Sequence, residues 1–299
     1  MRTRDAQGYY ENEWPTLSQA VEQPKLRILS LGAGVQSSTL ALMAARGDIG
    51  PMPDAAIFAD TGWEPEGVYK WLDWLETQLP FPVYRVNSGN IRDDIAIGQN
   101  STGQRFASLP FHIKKVNGEN ALARRQCTAE YKIEPVRRKT RELIGLQPRQ
   151  RAPKEVTVEQ WIGISKDEIE RVRDARDPWI KNRWPLIEAS MTRQDCLRWM
   201  ELHQYPLPAK SACIGCPYRD DQGWMDMKET DPVSFADAVE VDHMIRQHQT
   251  NRENFTGELY LHRSLKPLDE VDFKLKVDPR QRDMWSDGFI NECEGMCGL

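Results

Sequence analysis

One stretch near the start of the chain restricts its possible folds more than any other: an apolar strand, a turn of small residues and then a helix. Residues 26–29 read as a short strand, residues 30–38 are mostly glycine, alanine and serine, and residues 40–44 continue at helical spacing. A turn of this kind is typical of α/β proteins, whose parallel strands bind ligands at their carboxyl ends.

The same alternation of strand and helix continues along the chain. Residues 55–59, 83–86 and 160–164 read as further strands, and a helix that follows Pro65 carries apolar side chains at helical spacing. The pattern predicts an α/β fold, a parallel sheet with helices on both faces that is Rossmann-like, plus a mainly helical C-terminal region. Residues 88–118 are polar and are predicted to form a long surface excursion.

We expect three segments along the chain. They are an N-terminal lead-in over residues 1–24, a nucleotide-binding domain over 25–190 and a helical region with a cysteine-bearing tail over 191–299. Residues 135–146 read as a basic helix within the second of them. From Lys114 to Arg151 there are eleven Lys and Arg against four Glu, a local net charge of +7. This segment either binds a polyanion or forms a solvated helix face.

Composition restricts the class of protein. The chain has 299 residues, a net charge of −5 and six cysteines, too few for a disulfide scaffold. No apolar run reaches the roughly 18 residues of a membrane-spanning helix, and residues 1–23 lack the apolar core of a secretory signal. We therefore expect a cytoplasmic protein without a membrane partner, in which cysteines serve as ligands or nucleophiles.

The turn after the first predicted strand is a candidate for nucleotide binding. Small residues let backbone N–H groups approach a phosphate, and the following helix adds the partial positive charge of its N-terminus. The candidate residues are Ser30, Gly32, Ala33, Gly34, Gln36, Ser37 and Ser38. The alternative is a plain tight turn.

Three cysteines stand in patterns typical of ligands. Cys213 and Cys216 form a Cys-x-x-Cys followed by proline, and Cys127 lies far from them in sequence. Two thiolates at this spacing can hold one zinc ion or one side of an iron–sulfur cluster. A redox pair and buried structural thiols are the alternatives.

The first turn resembles a known motif. Residues 30–37 are similar to the PP-loop of ATP pyrophosphatases and sulfonucleotide reductases, usually Ser-x-Ser-Gly-Gly-x-Asp-Ser, but here Gly32, Ala33 and Gln36 replace a Ser, a Gly and the Asp. Residues 58–64 resemble the second signature of the phosphoadenosine phosphosulfate (PAPS) reductase family, which implies that Asp60, Thr61 and Gly62 lie beside the nucleotide. The alternative for Asp60 is to cap the next helix. The cysteine motifs resemble the iron–sulfur branch of that superfamily, so the resemblance covers about residues 25 to 220.

The resemblance implies a set of cofactors and site residues. The nucleotide that it implies is ATP or PAPS, with a magnesium ion in the case of ATP. It also implies a [4Fe–4S] cluster, or less readily a zinc ion, held by Cys127, Cys213 and Cys216. An open fourth iron would bind sulfide or substrate, unless Cys196, Cys293 or Cys297 closes the site. Cys293 and Cys297 resemble the nucleophile-bearing tail of the reductases. The candidates to neutralise substrate anions are Lys132, Arg137, Lys166 and Arg171.

Three functions are consistent with these residues. The first is a PAPS reductase-like enzyme in which a tail thiol attacks a sulfonucleotide and a thiol reductant such as thioredoxin helps to release sulfite. The second is an ATP-dependent sulfurtransferase, which adenylates an acceptor and then thiolates it with sulfur from a donor. The basic segment is compatible with nucleic acid as that acceptor. The third is a non-catalytic nucleotide-binding module, which Gln36 favours. A homodimer is compatible with all three.

Overall fold

The computed structural model describes residues 20–100, 102–103, 109–247 and 257–273. Five of its strands form one sheet in which all neighbours are parallel, in the order β3-β2-β1-β6-β7. These strands are β1 Leu26–Leu31, β2 Ala55–Asp60, β3 Val83–Asn87, β6 Val158–Ile162 and β7 Ile180–Arg183. The predicted parallel α/β sheet is confirmed, with β7 as an additional edge strand.

The order of the strands reverses between β1 and β6. The chain runs outward from β1 through β2 to β3, and β6 then pairs with the other side of β1. The carboxyl ends of the two strands at such a reversal border a crevice, which is where open α/β sheets bind their ligands. The turn of small residues that follows β1 therefore lies at the favoured binding position of this fold.

Helices cover both faces of the sheet. The described helices are α1 Val35–Arg46, α2 Glu66–Gln78, α3 Ile91–Ile97, α4 Glu134–Leu143, α5 Pro185–Glu188, α6 Arg193–Leu202, α7 Asp221–Thr230 and α8 Pro232–Gln247. One apolar cluster joins the sheet to α1, α2 and α6, and a second joins alternate strand residues to α4. Burial of both faces explains why the strands read as continuous apolar runs rather than alternating ones.

The predicted surface excursion over residues 88–118 is wrong. Ile91, Ile95 and Phe111 in this stretch are at most 1% exposed and belong to a third apolar cluster. Part of the stretch forms β4 His112–Lys115, which pairs antiparallel with β5 Asn120–Leu122 and β8 Gly257–Tyr260. The strand that pairs with β4, β8, lies far along the chain. The polar sequence around β4 therefore carries no local sign of this pairing.

The described part of the C-terminal region is mainly helical, as predicted, and its helices α7 and α8 contribute to the third apolar cluster. This cluster also contains Trp63, from the turn after β2, and Ile214, from the Cys-x-x-Cys segment. The region therefore reaches the carboxyl edge of the sheet. Within the described ranges, the structure has no helix with the length and apolar character needed to cross a membrane.

Candidate functional site

The turn after β1 has the geometry of an anion cradle. Ala33 adopts a left-handed backbone (φ 58°), which is unusual for a residue with a side chain, and the Gly32 N–H donates to Ser37 Oγ at 3.2 Å. Helix α1 starts directly afterwards with Gly34 as its N-cap, without a side-chain cap and without an acidic residue in its first turn. The positive end of this helix therefore faces the turn without a side-chain carboxylate to neutralise it.

Two of the predicted phosphate-binding serines instead support the loop from inside. Ser38 Oγ accepts from Trp71 Nε1 at 2.9 Å, and Ser30 Oγ accepts from Gln160 Nε2 at 3.4 Å. Both serines are fully buried. The hydroxyl of Ser37, which contacts the backbone of the turn itself, is the better placed of the three to meet an anion.

Asp60 shapes the turn at the end of β2. Its Oδ1 accepts from the Gly62 N–H at 2.8 Å and from the Tyr69 hydroxyl at 2.9 Å. The N-cap of α2 is Pro65, so the alternative interpretation of Asp60 as that cap is wrong. Burial and the bond to Asp60 raise the pKa of Tyr69 well above its ordinary value, so the phenol stays a donor to this carboxylate.

The Cys-x-x-Cys segment is bound directly to both turns. Ser211 Oγ donates to the carbonyl of Gly32, and the Ile214 N–H donates to the carbonyl of Trp63 at 2.9 Å. Cys213 Sγ lies 3.3 Å from Thr61 Oγ1. These contacts join residues that are up to 179 positions apart in sequence, so the predicted nucleotide turns and the Cys-x-x-Cys segment share one place in the fold.

A glycine allows this close approach. A Cβ added at Gly215 would lie 2.1 Å from the Trp63 ring, so a larger residue could not occupy this position without displacing the indole. The ring is itself held, because Trp63 Nε1 donates to Asp237 of α8 at 2.5 Å and Arg92 Nε donates to the same carboxylate at 2.6 Å. The C-terminal helices thereby fix the position of the cysteine segment against the second turn.

A buried carboxylate and a guanidinium flank the cysteines. Glu64 is 5% exposed, and its Oε1 accepts from Thr61 Oγ1 at 2.9 Å and from Cys213 Sγ at 3.5 Å. Arg219 Nη2 donates to the Cys213 carbonyl at 3.1 Å. Burial lowers the pKa of Arg219, whereas the charges of Cys216, Cys213 and Glu64 act to raise it. Arginine stays charged in proteins, so this guanidinium puts a positive charge beside the cysteine segment.

Two polar atoms of this group have no hydrogen-bond partner among the described residues, Glu64 Oε2 and Arg219 Nε. Buried polar atoms are usually bonded, so such atoms beside two cysteines mark a place where a further polar group fits. Yet within the described part of the chain no set of three His, Cys, Asp or Glu side chains is arranged to hold a metal ion. Cys213 and Cys216 would supply two thiol donors for the predicted cluster, fewer than the three or four that such a cluster needs.

Cys127 belongs to a segment that contacts the segment after Cys216. It precedes a π-helix, Thr128–Ile133, and packs against the third apolar cluster, to which Ile214 also belongs. Two residues before it, the guanidinium of Arg125 lies 5.4 Å from the centre of the Tyr218 ring, two residues after Cys216. The structure brings the Cys127 segment to the Cys-x-x-Cys segment, and its role as third ligand stays a prediction.

The four predicted anion-binding cations have different surroundings. Arg137 forms a two-pronged ion pair with Asp177 at 2.6 and 2.9 Å, and Lys132 is 8% exposed inside the π-helix. Lys166 is exposed just beyond β6, and Arg171 contacts Glu168 on the same short 3-10 helix, Lys166–Arg171. The latter two lie in the segment that follows β6, at the carboxyl edge of the sheet.

The remaining cysteines have separate positions. Cys293 and Cys297, the predicted nucleophiles, lie outside the described residues. Cys196 is fully buried in the cluster between the sheet and α6, and burial raises the pKa of its thiol to about 12. A thiol in that environment is unreactive, so Cys196 is poorly suited to close a cluster or to attack a substrate.

Four further residues at the site were not among the predicted site residues: Glu64, Arg193, Ser211 and Arg219. Glu64 stands two residues after the Asp-Thr-Gly turn, so its position beside that motif was an available signal. The other three reach the site from the C-terminal region, by contacts that local sequence patterns do not encode.

Comparison with known proteins does not assign a family: no family model matches the chain, and no curated protein matches it. The resemblance to the PAPS reductase-like family therefore continues to depend on the motifs alone.

Proposed function

We propose that this chain is a PAPS reductase-like enzyme that binds an adenine sulfonucleotide and releases sulfite from it by thiol attack on sulfur. The main support is the distance of 3.3 Å between Cys213 Sγ and Thr61 Oγ1, because it puts a cysteine sulfur beside a turn predicted to bind the nucleotide. A nucleotide-binding protein without sulfur chemistry would have no need of a Cys-x-x-Cys segment bound to both turns.

The chain's own residues have separate tasks in this proposal. The backbone N–H groups at the N-terminus of α1 bind the phosphate of the nucleotide. Lys166 and Arg171 lie after β6 and neutralise negative charge on the substrate. Glu64 and Arg219 hold the Cys213 side chain and its backbone in place. A cluster bound by Cys213 and Cys216 would supply electrostatic stabilisation or a sulfur-binding iron next to the substrate.

The reaction needs two thiols. The thiolate of Cys297 or Cys293 attacks the sulfur of the phosphosulfate, so that an S–S bond forms and the S–O bond to the nucleotide phosphate breaks, with the adenosine phosphate as leaving group. A second thiol then attacks the cysteine sulfur of the resulting S-sulfocysteine, which forms a disulfide and expels sulfite. A thioredoxin-like dithiol reduces that disulfide and restores the enzyme.

One observation favours a second candidate, the ATP-dependent sulfurtransferase. The contact between Arg125 and Tyr218 brings the basic Cys127 segment next to the Cys-x-x-Cys segment. That arrangement suits an enzyme that adenylates an acceptor, with release of pyrophosphate, and then displaces AMP with sulfur held at the three cysteines. The basic segment would bind an anionic acceptor such as a nucleic acid.

A product assay separates the two candidates. We expect protein that is purified without oxygen and analysed for iron, sulfide and zinc to release sulfite from PAPS in the presence of thioredoxin. We expect no pyrophosphate from ATP with RNA, DNA or no acceptor. Pyrophosphate that appears only when ATP and an acceptor are both present would establish the transferase instead. Binding of nucleotide without either product would contradict both enzymes.

A further inference from the structure

The short helix α3 contacts the turn after β2 directly. It begins at Ile91, whose N–H donates to the carbonyl of Thr61 at 2.9 Å. Asn90, the N-cap of the helix, lies so close to the turn that a Cβ on Gly62 would be 3.0 Å from the Asn90 Cα. Ile91 and Ile95 are each 1% exposed, so the helix is also anchored in the third apolar cluster. The turn and the helix are therefore held together as one unit.

A first set of contacts leads from α3 to the Cys-x-x-Cys segment. Arg92 Nε donates to Asp237 Oδ1 at 2.6 Å, and Arg92 Nη2 donates to Glu240 at 2.9 Å, both on α8. The other oxygen of Asp237 accepts from Trp63 Nε1. The ring of Trp63 lies against Gly215, between the two cysteines. A side chain of α3 thus helps to set, through one carboxylate, the position of the indole against which the cysteine segment packs.

A second set of contacts leads from α3 to the Cys127 segment. The hydroxyl of Tyr131 donates to Asp94 Oδ2. Tyr131 is 1% exposed and lies in the π-helix that directly follows Cys127. Asn100, just beyond α3, donates from Nδ2 to Glu130 of the same π-helix at 3.3 Å. The π-helix, and the cysteine before it, are therefore attached to α3 by hydrogen bonds between side chains.

We propose that α3 aligns the two cysteine segments with the turn after β2, and that Arg92 and Asp94 are its positioning residues. Arg92 acts on the Cys-x-x-Cys segment through Asp237 and Trp63, and Asp94 acts on the π-helix through Tyr131. The two side chains stand two positions apart on one helix, so a single element sets the position of both segments. The effect on turnover rests on the function proposed above, whereas the alignment itself does not.

The two sets of contacts are separable by mutation, and hydrogen exchange of the full-length protein, followed by mass spectrometry, measures each of them. Arg92→Gln removes a charge from two ion pairs, so exchange over residues 211–217 should become about tenfold faster, with exchange over residues 128–133 unchanged within about twofold. Tyr131→Phe removes only a hydroxyl and should have the reverse pattern, with about fivefold faster exchange over residues 128–133 alone.

Two further variants serve as controls for Arg92→Gln. Glu240→Gln neutralises the more exposed partner of Arg92 and leaves Asp237 and Trp63 in place, so its exchange should equal that of the wild type. Arg92→Lys keeps the positive charge and should restore part of the protection. Unchanged exchange over residues 211–217 in Arg92→Gln, or faster exchange of both segments in both variants, would overturn the proposal.

Kinetics show whether the alignment serves the reaction. In Arg92→Gln, kcat for sulfite release from PAPS should fall by about tenfold, because the sulfur-bearing segment is no longer held in its reactive position. The affinity for adenosine 3′,5′-bisphosphate should stay the same. Weaker nucleotide binding with unchanged kcat would overturn the role of Arg92 as a positioning residue. Absence of sulfite release by the wild type would overturn the proposed reductase, and the exchange pattern would still decide whether α3 aligns the cysteine segments.

Discussion

Replacing Gly163 by alanine is expected to weaken nucleotide binding by about a hundredfold, the equivalent of about 2–3 kcal/mol. The new Cβ would lie 2.7 Å from Ser37 Cα and 2.9 Å from Ser37 N. These are backbone atoms, so no side-chain rotation relieves the contact, and the nucleotide turn itself has to move. Because the φ of Gly163 is outside the left-handed region, the effect isolates this steric contact. Calorimetric titration with adenosine 5′-phosphosulfate measures it.

Gly50→Ala is the control for this variant. A Cβ at Gly50 meets no atom closer than Met52 N at 3.9 Å, so its affinity should equal that of the wild type. Circular dichroism and thermal unfolding show whether both variants keep the fold. A folded Gly163→Ala protein with unchanged affinity would mean that the turn after β1 does not bind the nucleotide.

Substituting a tail cysteine by serine is expected to have the largest effect on turnover. In Cys297→Ser or Cys293→Ser, sulfite release from PAPS should fall by about a thousandfold or more, since a serine hydroxyl is a far weaker nucleophile than a thiolate. Nucleotide affinity should stay the same, because the proposed binding residues lie elsewhere. A coupled assay of sulfite release tests the expected loss of turnover, and a binding titration of the same variants tests the expected unchanged affinity.

Cys196→Ala is the control for the loss of a thiol. The pKa of Cys196 is raised to about 12 by burial, so this cysteine should contribute nothing to the reaction even where its removal lowers stability. Full activity in a protein cut before residue 290 would contradict the assignment of the tail cysteines. The attacking thiol would then have to be sought at Cys213 and Cys216.

The fold of the sheet was largely predictable because its strands are buried on both faces. β1 and β2 are apolar over nearly their whole length, so short continuous runs identify them without any knowledge of pairing. β4 and β8 were not predictable in this way. Both strands are half polar and lie far apart in sequence. Each is stabilised by pairing with the other, and a local sequence pattern does not show such a pairing.

The candidate site was predictable where its residues belong to continuous motifs. The turn after β1 and the Cys-x-x-Cys segment were identified from their residue patterns, and the turn after β2 from its resemblance to a known signature. The structure joins all three. The residues that hold them together were not found, because Arg193 and Arg219 contribute through contacts set by the packing of the C-terminal region. A lone arginine in a helix or loop looks like a surface charge in sequence.

The central claim is that the nucleotide and the cysteine segment share one site, and protection from alkylation tests it most directly. Metal-free reduced protein is treated with iodoacetamide, with and without saturating adenosine 3′,5′-bisphosphate, and modification of each cysteine is followed by mass spectrometry. The account predicts that the nucleotide slows alkylation of Cys213 and Cys216 severalfold, whereas buried Cys196 stays unmodified in both conditions. Equal rates at Cys213 and Cys216 under proven saturation would contradict it.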